Sequence, residues 1–252
     1  MPAPTRAGRG RLAAASGSLV MAALLAAPAG AGAEPSGETL EPFKAHFTAD
    51  WKSINVGTSD IELKRDAEPG RFVYTWSVMG RGIFRLAYKD VIQKSWLSVA
   101  GGQVRPEKYH AEQGESAVNL NFDWDAGRAR GSNEGKPVDL KLLEGTQDVM
   151  SIQIEVMLAL KNGNLPTTFK ILDKDEIKDF LYTQEGAARI RTALGELDTV
   201  VVASQRKGNN RILRMWFAPS LGYVPVQAER SRDGRLEFAM RIKTLSPLPP
   251  AK

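Results

Sequence analysis

The stretch Thr146-Gln-Asp-Val-Met-Ser-Ile-Gln-Ile-Glu-Val-Met-Leu-Ala-Leu-Lys161, closed by Asn162-Gly163, decides how the rest of the chain is read. Locally it alternates, with Ile152, Ile154, Val156 and Leu158 set against Ser151, Gln153 and Glu155, which is the period of a half-buried strand. Yet it runs roughly four helical turns without a breaker, and Gln, Glu, Met, Leu and Ala all favour a helix. Thr146 or Asp148 can cap its N-terminus, and Lys161 with Asn162-Gly163 suits a C-terminus. As a helix over 147–161 it is apolar on nearly every face, so it has to be enclosed by something.

The flanking sequence supplies strands to enclose it. Ala45, Phe47, Ala49 and Trp51 alternate with Lys44, His46, Thr48 and Asp50, giving one dry face. Ile61 and Leu63 continue the pattern, and Phe72, Tyr74, Trp76 and Val78 share the face of the next strand. Gly80-Arg-Gly82 breaks the chain, and Phe84, Leu86 and Tyr88 are expected to resume the strand. Further strands follow at Ile92–Val99 and at Val118, Leu120, Phe122 and Trp124, with a weaker candidate over Arg128–Leu142. Beyond Gly163, Phe169 and Ile171 form a hairpin with Ile177–Tyr182. Separate strands then follow at Ile190–Ala193, Leu197–Ser204, Arg211–Phe217, Val224–Arg230 and Leu236–Ile242. The expected fold is mainly β: one strongly curved antiparallel sheet of roughly ten to twelve strands, a half-barrel wrapped on the single central helix.

The N-terminus has the pattern of a secretory signal. Arg6, Arg9 and Arg11 precede an apolar run, and Ala31-Gly32-Ala33 offers a small-x-small cleavage site. Residues 1–33 are therefore expected to be removed, 34–246 to form one domain, and 247–252 to be a disordered tail. No Cys follows the apolar run, and the sequence contains none at all. This excludes a lipid anchor on cysteine, disulfides and thiolate metal sites. The expected location is the periplasm. Without the three signal arginines the formal charge of +5 falls to +2, which is no footprint for nucleic acid. Residues 188–244 nevertheless carry 11 basic against 5 acidic side chains, so an anionic partner meets this third of the chain first.

Several short motifs recur in a fixed order: Phe122-Asp-Trp124, Gln147-Asp-Val-Met-Ser151, Leu194-Gly195, Trp216-Phe-Ala-Pro219 and Pro225-Val226. With Gly80-Arg-Gly82 and Arg105-Pro106, they resemble the exported bacterial proteins grouped as domain-of-unknown-function family 3108. The likeness covers roughly residues 43–244. It implies a curved antiparallel sheet around a helix, in the periplasm of Gram-negative bacteria, and it implies no activity. The shape also looks like the lipoprotein-carrier half-barrels, an analogy of fold that does not reach function.

Catalytic constellations are weak. His46 and His110 lack the spacing of a metal pair, and no metal or cofactor is expected. There is no G-x-S-x-G elbow. Asp123 and Asp125 flank Trp124 and would share one strand face, the minimum for a cryptic hydrolase, although solvated carboxylates at a strand end are the plainer reading. Asp173, Asp175, Glu176 and Asp179 read as a solvated hairpin tip. Aromatic side chains point towards binding. Most of them serve the core, but a cavity between sheet and helix would take an acyl chain against Trp51, Trp76, Phe84, Met150 and Met157. Arg235, Arg241 and Lys243 alternate with Leu236, Phe238, Met240 and Ile242, forming an outward stripe suited to anionic lipid or an acidic partner. The same stripe also serves solubility. The expected protein is non-enzymatic: it binds an apolar ligand or an envelope partner, with peripheral membrane contact at most. The alternative is a structural scaffold with a filled core.

Overall fold

The computed structural model describes residues 40–84 and 89–247. The signal segment, the cleavage site at Ala33 and the last five residues lie outside these. Eight strands come first: β1 (Phe43–Trp51), β2 (Ile54–Arg65), β3 (Arg71–Gly80), β4 (Val91–Ala100), β5 (Gln103–Gln113), β6 (Ser116–Asp123), β7 (Arg128–Asn133) and β8 (Lys136–Lys141). A short β9 (Gln147–Asp148) leads into helix α1 (Ser151–Lys161). Then follow β10 (Thr168–Asp173), β11 (Glu176–Thr192), β12 (Gly195–Arg206), β13 (Arg211–Ala218), β14 (Val224–Arg232) and β15 (Arg235–Pro247).

All fifteen strands belong to one open sheet. Its order is β8-β7-β6-β5-β4-β3-β2-β1-β15-β14-β13-β12-β11-β10-β9, so the first and last long strands meet at its middle. Apart from β8 and β9, which end up at opposite edges, neighbours in sequence are neighbours in the sheet, which short hairpin turns make the cheapest topology. Buried residues of the sheet, among them Phe47, Leu63, Leu120 and Phe217, join those of α1 in a single hydrophobic cluster. A flat sheet of this width could not reach one helix from so many strands, so the curled form follows.

Several expectations need correction. The sheet has fifteen strands rather than ten to twelve. Arg128–Leu142 holds two of them, because Glu134 and Gly135 adopt positive φ and turn β7 back on β8. The segments Ile177–Tyr182 and Ile190–Ala193 are one long strand, β11, carried through by a register shift between Gln184 and Gly186. Phe84 lies in a helical turn after Gly82 and not in a strand, while residues 85–88 lie outside the described residues. The helix is shorter than 147–161, because Gln147 and Asp148 spend their backbone on a ladder with Ile171 and Leu172. That ladder is parallel, the exception to an otherwise antiparallel sheet among the described residues. Pro247 pairs with Phe43 and so belongs to β15, not to a tail.

The helix itself is enclosed as its composition requires. Ile152, Ile154, Val156, Met157, Leu158, Ala159 and Leu160 are all buried. No helix among the described residues is long and apolar enough to cross a membrane.

Candidate ligand cleft and its basic mouth

Alternation along the strands sends one set of side chains towards α1, and above the helix N-terminus that set does not fill the space. A cleft of about 170 Å³ remains, lined by Ile61, Trp76, Met150, Met215, Phe238 and Met240 among others. It adjoins a second of about 390 Å³ beneath β10–β13, walled by Ile171, Phe180 and Tyr182. The two share Gln153, Leu213, Met215 and Arg230 on their linings. Together they fall within the size range of small-molecule sites. Some polar groups at the walls are already engaged. Trp76 donates its indole N–H to Ser59 Oγ at 2.8 Å, and the Tyr74 hydroxyl donates to Gln153 Oε1 at 3.0 Å. What faces the space is therefore mainly hydrocarbon, aromatic ring and thioether, with Arg230 at the junction.

The mouth is basic. Arg206, Arg211 and Arg230 lie on the lining of the larger cleft, with Asp173 the one carboxylate there. Lys178 holds Asp173 at 2.9 Å. The guanidinium of Arg230 also sits over the rings of Trp51, at 5.8 Å, and Phe238, at 5.9 Å, a cation–π arrangement with both.

Of the residues singled out from sequence, Trp76 and Met150 line the cleft. Trp51 reaches it only through Arg230. Met157 is buried in the core and lines neither cavity, and Phe84 lines neither. Arg235, Arg241 and Lys243 are exposed. Arg241 is engaged by Asp50 at 2.7 Å and Glu229 at 3.5 Å, while Arg235 and Lys243 have no ion pair among the described residues. Sequence reasoning missed Arg206, Arg211 and Arg230. The available signal was Arg211 in phase with Leu213, Met215 and Phe217, a charge on the apolar phase of a strand.

Asp148, fully buried, is the real cap of α1. Its Oδ1 accepts the N–H groups of Met150 at 2.7 Å and Ser151 at 2.8 Å, while Ser151 Oγ accepts the N–H of Asp148 at 2.9 Å. Ser95 of β4 donates its hydroxyl to Oδ2 at 2.6 Å. Burial pushes this carboxyl up to about 6, against the lowering effect of those bonds. The Tyr109 phenol is also pushed up, first by burial and then by Asp148 and Asp173.

Another concavity, an open groove of about 760 Å³, lies by Arg105, Trp124, Glu144, Gln147, Glu155 and Lys170. Its polar groups largely serve the sheet. Glu155 accepts the N–H of Val104 at 3.3 Å, Gln147 Nε2 donates to the carbonyl of Val104 at 2.8 Å, and Trp124 donates to that of Pro106 at 2.7 Å. The inner clefts are the better candidate because their linings are the more apolar.

The suggested hydrolase pair does not share a strand face. Asp123 ends β6 and accepts the N–H of Ala126 at 2.9 Å, whereas Asp125 lies in the turn beyond. His46 bonds Asp60 at 2.7 Å and His110 bonds Asn119 at 2.8 Å, each a separate cross-strand pair. Among the described residues no group of three His, Cys, Asp or Glu could hold a metal ion.

The family model for a protein of unknown function, DUF3108, matches residues 46–240. No curated protein matches the chain. Among solved structures, a beta-barrel-like protein of domain of unknown function DUF1849 from Brucella abortus is 11% identical, with a TM-score of 0.53 over 83% of this chain and 99% of that one. A Bacteroides fragilis protein, described as exported and of YmcC-like fold, is 8% identical, with a TM-score of 0.34 over 82% and 97%. A protein described as a lipoprotein from Parabacteroides distasonis is 10% identical, with a TM-score of 0.32 over 82% and 96%. The first likeness is one of fold and of nothing more.

Proposed function

The chain belongs to the DUF3108 family of proteins of unknown function, and from there we propose that it is a non-enzymatic protein of the bacterial envelope that holds an apolar or acyl ligand between sheet and helix. The observation that carries this is the pair of adjoining clefts above the N-terminus of α1, walled by Trp76, Met150, Leu213, Met215 and Met240. Methionines suit such a role, since flexible thioether side chains adapt to chains of differing shape. Export rests on the sequence alone, through the basic n-region and Ala31-Gly32-Ala33.

The test uses monopalmitoylglycerol, a neutral single-chain probe, in titration calorimetry below its critical micelle concentration. Wild type is expected to bind one equivalent. Met215→Trp, which fills the junction of the two clefts, is expected to lose binding while keeping its melting temperature. Undiminished binding by Met215→Trp would move the ligand elsewhere. No binding by wild type would favour the scaffold with a filled core.

A further inference from the structure

We propose that the mouth of this cleft is a subsite for the anionic head group, phosphate or carboxylate, of a single-chain amphiphile, with Arg211 and Arg230 as its principal ligands. The inference rests on the reading of the cleft as an acyl site and adds the chemistry of the other end of the ligand.

Three arginines share one carboxylate. Glu237 of β15 lies 3.2 Å from Arg232, 3.3 Å from Arg211 and 3.5 Å from Arg230. Its side chain is only 16% exposed, and it cannot neutralise three guanidinium groups. The cluster therefore keeps two positive charges in excess. Arg206, on the same lining, has no ion pair among the described residues and adds a third. The approach to Glu237 is also poor in hydrogen bonds. Arg230 Nε and Glu237 Oε2 are buried atoms that have no hydrogen-bond partner. A buried donor left unmade is costly, and a cluster of like charges is costlier still. An anion seated against Arg211 and Arg230 would offset the excess charge, and planar guanidinium groups bind phosphate and carboxylate oxygens through paired N–H donors.

Position decides that the anion belongs to an amphiphile. Arg230 borders both cavities. A head group held there leaves its chain facing Leu213, Met215 and Met240. The ring faces of Trp51 and Phe238 hold the guanidinium at the boundary between wet mouth and dry interior.

The experiment compares two probes with one chain, monopalmitoylglycerol and 1-palmitoyl lysophosphatidate, which differ by the phosphate. Inorganic phosphate alone is the third arm. Wild type is expected to bind lysophosphatidate about tenfold tighter or more, the scale of a charge-assisted hydrogen bond. In Arg211→Gln/Arg230→Gln the ratio of the two affinities should collapse towards unity. Glu237→Gln, which removes the competing carboxylate, should strengthen lysophosphatidate binding. A cluster that only ties strands together would instead lose stability without a gain in affinity, and that result would overturn the proposal. Equal binding of both lipids by wild type would overturn it and leave the acyl reading standing; binding of neither would remove both. Inorganic phosphate binding as tightly as lysophosphatidate would assign the arginines to a free anion and also overturn it.

Discussion

Asp148 shows how one side chain can start a helix from inside a core. Its carboxylate takes the first free N–H groups of α1, and Ser151 answers with its hydroxyl, a reciprocal cap in an environment that excludes water. The cost is visible in its acidity. A carboxyl raised from 3.8 to about 6 on folding contributes stability that is complete below about pH 4 and is lost as pH rises through about 6. Asp148→Asn keeps an oxygen for Met150 and Ser151, offers an amide to Ser95 and does not ionise. The melting temperature of wild type, measured relative to Asp148→Asn, is therefore expected to rise as pH falls from about 7 to about 5. Parallel pH profiles for the two proteins would show that the carboxyl is not held in its neutral form. Met157 makes the complementary case. It is 3% exposed, one helical turn beyond the cleft-lining Gln153, so Met157→Asp should destabilise the fold by about 3 kcal/mol or more in urea titration. An unchanged midpoint would mean that this face of α1 is open to water.

Strand β5 illustrates how an element that outruns its neighbour is finished. Its ladder with β6 stops at Lys108, leaving Gln103–Glu107 bare on that side. Pro106 has no N–H to offer there, and the remaining groups are met by side chains: Glu155 for the N–H of Val104, Gln147 for its carbonyl, Trp124 for that of Pro106. Glu155→Ala is expected to speed hydrogen exchange at the Val104 amide selectively, while amides paired between β4 and β5 keep their protection. Uniform exchange rates in wild type and variant would show that water replaces the carboxylate without cost. Close approach limits another pair of strands. A Cβ at Gly131 would stand 1.8 Å from the carbonyl oxygen of Asn119, where β7 crosses β6. Gly131→Ala should accordingly lower stability by about 2 kcal/mol, read as a shifted midpoint in chemical denaturation. A neutral result would require the ladder to move aside.

The strand registers bring the β1–β2, β12–β13 and β14–β15 turns, with the connection after β3, to one end of the molecule, the end where the basic mouth opens. Ile54, Met79 and Ile83 are 59%, 48% and 75% exposed there. Apolar tips beside arginine suit the surface of an anionic bilayer. Sedimentation with anionic vesicles at low salt is expected to capture the protein and to weaken as ionic strength approaches the physiological range. Arg235→Glu should reduce capture more than Arg241→Glu, whose charge Asp50 and Glu229 already meet. Equal, salt-insensitive capture of all three proteins would leave these arginines a solubilising role.

Alternation and turn residues are local properties, so the strands from β1 to β3, β6 and β13 to β15 could be read from residues such as Phe47, Trp76, Leu120 and Met240 alone. The buried helix was readable for a related reason, since an apolar run of that length with Asp148 before it and Asn162-Gly163 after it has few other uses. Tertiary structure decided what depends on distant partners. Gln147 and Asp148 could have continued the helix, and they became a strand because β10 presented an edge to them. The site lies on the same side of that divide. Trp76 and Met150 were legible as apolar residues on inward faces, but apolarity does not separate a cavity wall from a filled core, and Met157 fell in the core. Arg211 and Arg230 look like surface charges in sequence. They line the cleft because alternation carries them inward on β13 and β14, and the register shift between Arg230 and Ser231 sets their strand against Glu237 of β15. A single residue inserted in a ladder changes which side chains meet, and only the assembled sheet specifies where that happens.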